Sequence, residues 1–187
     1  ERRFRKALTK KETELKQKLY QISVLKEIQD KISYSLNVEE IITIITGSLK
    51  NLFPYSTASS IIIEENRLIY KTYIEERINK AFVEKVKQSM LASLSVLLPN
   101  IPTFVEERFS GQIFDENNLN PLASFFHIPL IVNNKVVALL NISSTKPNLY
   151  EESIVTILYQ ITENASNALT RLHEVLETEE NKLISMI

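Results

Sequence analysis

The sequence predicts an α+β domain in which an antiparallel β-layer lies between helices, with long helices at both chain ends. Two apolar runs around Asn133-Asn134, within residues 125–143, predict a β-hairpin. Residues 9–36 and 151–187 contain no glycine or proline and carry apolar residues at helical spacing. With 187 residues and 44% hydrophobic composition, we expect one domain with flanking helices.

The composition excludes several kinds of site. The chain has no cysteine, so disulfides, thiolate metal sites, thiol nucleophiles and thioether-linked chromophores are excluded. The two glycines form no phosphate-binding loop, and no metal-ligand spacing occurs. The 22 basic and 23 acidic residues offer no general attraction to nucleic acid. A cytoplasmic protein fits this composition.

The first 18 residues hold eight basic side chains against three acidic ones. Such a charge run is usually a solvated helix face. The alternative is a juxtamembrane segment on the cytoplasmic side of an inner membrane. No window reaches the roughly 18 consecutive apolar residues of a spanning helix. Because the chain begins at Glu1 rather than Met, we expect a piece of a longer protein whose membrane anchor could lie upstream.

Heptad spacing predicts that residues 1–36 form a helix that is coiled-coil-like in part. Two lysines and a glutamine fall on the same template and weaken the pattern. The apolar seam comprises Leu8, Leu15, Ile22, Leu25, Ile32 and Leu36.

A second helix and a first hairpin are predicted next. Asn37, followed three residues later by Glu40, has the spacing of a capping box and begins a helix over 38–53. Residues 59–63 and 67–74 are rich in β-branched and aromatic side chains and predict two paired strands.

The middle of the chain predicts a helix, a short strand and a loop. Residues 78–98 carry apolar side chains at steps of four and end before a proline. Residues 103–107 predict a short strand. Residues 109–121 are dense in Gly, Asn, Asp and Pro and predict a loop, which is either a lid or binding segment or an insertion without function.

The last hairpin is apolar on both faces. A two-residue turn would pair Val132 with Lys135 and Ile128 with Leu139. This register places Phe126, Ile128, Leu130, Val137 and Leu139 on one face, and Phe125, His127, Ile131, Val136, Ala138, Leu140 and Ile142 on the other. A sheet that is apolar on both faces must be covered on both, by helices, loops or a ligand.

The C-terminal segment 151–187 predicts a helix of up to about 55 Å. Its first half can dock on the sheet through Ile154, Ile157, Leu158, Ile161, Ala165 and Ala168. Its second half continues an apolar seam beyond the domain, which we expect to form a dimer interface. Together the two terminal helices predict an interface made by Leu15, Ile22, Leu25, Ile32, Leu169, Leu172, Leu176 and Leu183.

The run HIPLIVNNKVVALLNIS, followed by PNLYEESIVTILYQITENASNAL, resembles the C-terminal half of a GAF domain, a small-molecule-sensing module of bacterial signalling proteins. Ala138 stands where the family commonly has glycine. The resemblance covers about 36–172. It implies an antiparallel sheet of five or six strands, helices from both chain ends on one face, and a ligand pocket on the other. The implied division is a signalling helix over 1–36, a sensor domain over 37–172 and a linker helix over 173–187.

Long helices on both sides of such a domain are similar to the arrangement in sensor histidine kinases. The resemblance implies a non-catalytic sensory module that forms a parallel homodimer, binds an unidentified small molecule and relays the signal through its terminal helices. No cofactor is assigned. The alternatives are a structural dimeric spacer without ligand, a haem sensor, and the same module attached to a diguanylate cyclase or a transcriptional regulator.

We expect the ligand site to be mainly aromatic. His127 has three alternative roles: a ligand of haem iron, a hydrogen-bond partner of a small molecule, or a packed structural residue. His173 is expected on an exposed or interface face of the last helix. The candidate ligand-binding residues are His127, Phe125, Tyr70, Tyr73, Phe82 and Phe104, for which ordinary core packing is the alternative.

Phe114-Asp115-Glu116 contains the residue types of the cyclic-nucleotide motif of GAF domains. The spacing differs from that motif, and the asparagine-lysine pair that should precede it is missing. We therefore predict a solvated loop there. Neighbouring glutamates elsewhere point to opposite faces when they lie on a strand, which is unsuitable for paired acid-base chemistry.

Overall fold

The structure, a computed structural model, describes residues 1–33 and 37–186, so the predicted seam residue Leu36 and the terminal Ile187 lie outside the described residues. The helices are α1 (Arg2–Ser33), α2 (Val38–Leu49), α3 (Lys80–Leu97) and α4 (Glu152–Ser185). The strands are β1 (Thr57–Ile63), β2 (Leu68–Ile74), β3 (Ile78–Asn79), β4 (Val105–Ser110), β5 (Ile113–Phe114), β6 (Ser124–Val132) and β7 (Lys135–Ser144). The predicted α+β class is confirmed.

Two asparagines begin helices. The side chain of Asn37 accepts a hydrogen bond from the Glu40 amide at 2.8 Å, which confirms the predicted N-cap of α2. Asn79 caps α3 in the same way, accepting from the Phe82 amide at 3.0 Å. The helix predicted over 78–98 therefore begins two residues later, because Ile78–Asn79 is extended and forms β3.

The main sheet has five strands in the order β4-β2-β1-β7-β6. The two predicted hairpins, β1-β2 and β6-β7, are both present, and β1 also pairs antiparallel with β7. Strand β4 instead runs parallel to β2. The reason is that α3 lies between them in sequence and returns the chain to the end from which β2 began. The predicted loop over 109–121 contains β5, which pairs with β3 in a separate two-stranded sheet.

A bulge changes the predicted register of the second hairpin. Asn133 and Asn134 have φ values of 50° and 62°, as a type I′ turn requires, and Val132 pairs with Lys135 as predicted. An irregularity between Leu130 and Ile131 then shifts the pairing, so Ile128 lies opposite Leu140 rather than Leu139. A shift of one residue exchanges the faces of a strand. The predicted assignment of β7 residues to faces was therefore wrong beyond the bulge.

Helices cover the sheet on both faces, as the two-sided apolar pattern predicted. One face, here called the terminal-helix face, packs against α1, α2 and α4. The other, the α3 face, packs against α3. The predicted docking half of α4 contributes Leu158, Ile161 and Ala165 to the first core.

The terminal helices pack against each other within one chain. Ile32 and Leu169 are buried there, and Leu25 is partly buried against the same core. Within one chain they hold α1, α4 and the sheet together; their place in a dimer interface stays a prediction. A heptad pattern shows that a helix has a partner but does not show which helix it is.

Beyond this contact the two helices extend with exposed surfaces. Leu172 is half-buried, whereas Leu15, Ile22, Leu176 and Leu183 are 59% to 65% exposed. Within residues 1–33 and 37–186, no helix combines the length and the apolar content needed to cross a bilayer.

Candidate functional site

A row of polar side chains crosses the α3 face of the sheet. Strand register places Thr72, Ser59, Asn141 and His127 next to one another on β2, β1, β7 and β6. These four residues are called the polar row. Its first three members are at most 2% exposed, and the Ser59 and Thr72 hydroxyls are hydrogen-bonded at 3.0 Å. Polar side chains in the interior of a sheet are costly unless they are paired, so this row requires a physical reason.

Hydrogen bonds connect the row to α3. The Ser143 hydroxyl donates to Asn141 Oδ1 at 2.6 Å, which leaves the amide nitrogen of Asn141 to donate to His127 Nδ1 at 3.0 Å. His127 Nδ1 is then an acceptor, and Nε2 carries the proton. Nε2 lies 2.9 Å from the Ser89 hydroxyl on α3, to which it donates. A continuous chain of hydrogen bonds thus runs from β7 through β6 to the covering helix.

His127 is held in its neutral form. Burial lowers the pKa of its imidazole, because a charged ring would lose solvation there. The Asn141 amide group that points at Nδ1 also disfavours a proton on that nitrogen. Both ring nitrogens are occupied by hydrogen bonds, so coordination of haem iron would require one of them to break.

Two hydroxyls beside the row are buried without a hydrogen-bond partner among the described residues. They belong to Tyr70 and Thr57, both fully buried. Burial raises the pKa of Tyr70, and the nearby Thr72 and Ser59 hydroxyls partly oppose that rise, although neither meets hydrogen-bond geometry with it. An unpaired buried hydroxyl costs about 1–3 kcal/mol. A bound molecule or water that pairs with them would remove this cost.

Polar contacts fix the helix and a neighbouring loop over this face. Lys87 on α3 pairs with Glu107 on β4, and the hydrogen bond raises the lysine's pKa. Arg77 pairs with Glu116 and stacks over the Phe114 ring with its guanidinium carbon 4.6 Å from the ring centroid. The Asn79 side chain donates to the Glu116 carbonyl at 3.0 Å. These contacts fix residues 113–116 beside the start of α3, and Ser89 holds α3 against the His127 end of the polar row.

The structure brings together part of the predicted aromatic site. Tyr70 and Phe82 are buried in the core under α3. The Phe125 ring is 5.0 Å from that of His127 and is 48% exposed at the sheet edge. Tyr73 lies on the opposite face, as strand alternation from Tyr70 requires. Phe104 precedes β4 and is 62% exposed.

Sequence reasoning missed the polar members of the site. Ser59, Thr72, Asn141 and Ser143 are polar residues next to apolar runs in their strands, and this contrast was the available signal. The wrong register of β7 concealed that Asn141 faces the same side as His127. Among the described residues, no group of three or more His, Asp or Glu side chains could hold a metal ion.

Residues 35–170 match the family model of the GAF domain. The chain belongs to the GAF domain family. GAF domains are sensory and regulatory modules and are not themselves catalytic. The five-stranded sheet with terminal helices on one face is the GAF fold that the sequence motifs implied.

Solved structures include GAF domains of similar fold. One, from a phosphoenolpyruvate-protein phosphotransferase of Coxiella burnetii, has a TM-score of 0.53 and 12% identity over 83% of this chain and 96% of that chain. Another, from an Acinetobacter phosphoenolpyruvate-protein phosphotransferase, has a TM-score of 0.47 and 14% identity over 83% of this chain and 95% of that chain. At 12% identity, the first of these likenesses shows the fold alone. No curated protein matches the chain.

Proposed function

We propose that this GAF domain is a sensory module that binds a small molecule at the polar row beneath α3 and transmits the signal through α1 and α4. The observation that supports this site is the pair of unpartnered hydroxyls, Tyr70 Oη and Thr57 Oγ1, beside a connected polar network. Small-molecule sites combine an apolar lining with a few such polar groups. Phe82 and Met90 supply the apolar lining from α3.

Binding would couple to the terminal helices through β7. A ligand that reaches the row must displace α3, which breaks the contact between Ser89 and His127. Asn141, which holds His127, lies between Leu140 and Ile142, and these two side chains pack in the core formed with α4. A change on one face of β7 therefore alters the packing of the other. The ligand shifts this equilibrium only if it binds the displaced state more tightly.

The signalling form we propose is a parallel homodimer. The exposed apolar residues Leu15 and Ile22 on α1, and Leu176 and Leu183 on α4, continue beyond the packed part of each helix and would pair with the same residues of a second copy. In this proposal residues 1–36 form the signalling helix, 37–172 the sensor and 173–187 the linker. We place the module in the cytoplasm, within a sensor histidine kinase.

A ligand screen by thermal shift tests the binding site. A compound that binds the polar row should raise the melting temperature of the wild type, and Tyr70→Phe and Thr57→Val should reduce that rise. Ser60→Ala is a matched control, because Ser60 has a buried, unpartnered hydroxyl on the terminal-helix face. If compounds stabilise all four proteins equally, binding occurs elsewhere and the proposed site is wrong.

Single cysteines test the dimer, since the chain has none of its own. In a parallel homodimer, Leu15→Cys and Leu176→Cys should each form a disulfide with its own copy under mild oxidation. Val96→Cys, at an 87% exposed position on α3, is the control for random collisions. Light scattering that gives a monomer at tens of micromolar, with cross-linking no greater than in the control, would exclude the proposed relay.

The structural spacer is the second candidate, because the α3 face is filled by its own side chains. Phe82, Met90 and Leu94 are at most 1% exposed over the sheet. A dimer that cross-links as described but shows no response to any compound would favour the spacer.

A further inference from the structure

We propose that residues 2–11 of α1 bind an anionic lipid surface. This basic segment, RRFRKALTKK, contains six cationic side chains and no acidic one. It is helical, and every residue in it is exposed. None of the six cations forms a salt bridge within the part of the chain that the structure describes. The segment therefore presents an uncompensated positive charge to a partner.

Apolar side chains lie within the same segment. Phe4 is 73% exposed and Leu8 is 51% exposed. Helical spacing at i, i+3 and i+4 places Ala7 beside them on one side of the helix, while five of the six cations occupy the remaining circumference. A short apolar side with lysines and arginines around it is the pattern of a helix that lies in a membrane interface. Cations contact the headgroups while Phe4 and Leu8 enter the boundary with the acyl chains.

Charge argues against a second copy as the partner of this segment. Two basic segments placed side by side in the proposed parallel dimer would repel each other. In this proposal the pairing therefore begins at Leu15, and Leu8, although it fits the heptad pattern, stays available with the rest of residues 2–11. The six cations belong to a chain with 22 basic and 23 acidic residues, so the rest of the chain is net negative. An anionic surface attracts the segment and repels the remainder. A nucleic acid would neutralise the cations but leave Phe4 and Leu8 without a partner.

Sedimentation with vesicles tests the proposal. The wild type should bind phosphatidylcholine vesicles that contain about a third phosphatidylserine, should not bind pure phosphatidylcholine, and should dissociate as salt is raised. The triple variant Lys6→Gln, Lys10→Gln, Lys11→Gln should bind roughly a hundredfold more weakly, because each cation near such a surface contributes about fivefold. The control Lys80→Gln, Lys85→Gln, Lys135→Gln removes the same charge from exposed positions elsewhere and should retain binding.

A second variant separates lipid from nucleic acid. Phe4→Ser with Leu8→Ser keeps all six cations and should bind the anionic vesicles about tenfold more weakly, since less apolar area is buried. Circular dichroism establishes that each variant keeps the helix content of the wild type. Absence of wild-type binding to the anionic vesicles, equal losses in the two lysine variants, unchanged binding of the serine variant, or tighter binding to duplex DNA would each overturn the proposal.

Discussion

Replacing Asn141 by leucine should destabilise the domain strongly, although the two side chains have similar shape. Asn141 is 2% exposed, accepts from the Ser143 hydroxyl and donates to His127 Nδ1. Leucine makes neither contact. The fully buried Ser143 hydroxyl and the half-buried His127 nitrogen would each lose a partner, at about 1–3 kcal/mol for each group. Because His127 is only half-buried, we expect a total loss of about 2–4 kcal/mol.

Urea unfolding of Asn141→Leu beside the wild type measures this loss. In a thermal melt, the same loss should lower the melting temperature of a domain of this size by about 5–15 °C. Adding Ser143→Ala should recover about 1 kcal/mol, because it removes the orphaned hydroxyl. Asn117→Leu in the exposed loop controls for the chemical change alone. A loss below about 0.5 kcal/mol, or one equal to that of Asn117→Leu, would show that the polar row is not a connected network.

Three further predictions concern the stability of the domain. Since burial lowers the pKa of His127 below the usual 6.5, the unfolded chain binds the extra proton more readily. Stability should therefore fall as pH decreases below about 6.5, and His127→Gln should flatten that part of a pH series of urea midpoints. Phe82→Ala should lower the free energy of unfolding by about 3–5 kcal/mol, because its ring is buried, and Phe104→Ala by less than about 0.5 kcal/mol, because its ring is exposed. Similar losses for the two variants in chemical denaturation would contradict these positions. Gly47→Ala should stabilise α2 by about 0.5–1 kcal/mol, because nothing lies near the added methyl group. Gly111→Ala should destabilise the domain, since φ is +110° and the added Cβ would lie 2.7 Å from the Ile74 carbonyl oxygen. Calorimetry measures the change in stability of both variants, and a change of the same sign in the two would refute this reasoning.

The candidate site was predictable in part. The aromatic candidates were selected by residue type, and His127 as the histidine expected inside the domain; the structure places His127, Tyr70 and Phe82 between the sheet and α3. Tyr73 and Phe104 were selected on the same ground, which does not reveal the face of a strand. Their positions depend on strand alternation and on where β4 begins.

Asn141 and Ser89, which the sequence did not indicate, show why the rest of the site could not be predicted. Asn141 lies opposite His127 only because a bulge near Leu130 inserts one residue into the ladder. No local propensity distinguishes the bulged hairpin from the regular one. Ser89, on the covering helix, joins the network through a contact that spans 38 positions along the chain.

The sequence by itself determined those features that depend on neighbours in the chain. These are the asparagine N-cap of α2, the two-residue turn of the last hairpin, the helical conformation of residues 2–33 and 152–185, and the need to cover both faces of the sheet. Each follows from backbone preference or from periodic burial within one segment.

Tertiary structure alone decided which segments meet. It set the parallel pairing of β4, the packing of Ile32 and Leu169 within one chain, and the alignment of four strands into a polar row. These outcomes depend on packing between residues far apart in sequence. An apolar or polar pattern specifies that a partner is required, and only the three-dimensional arrangement supplies its identity.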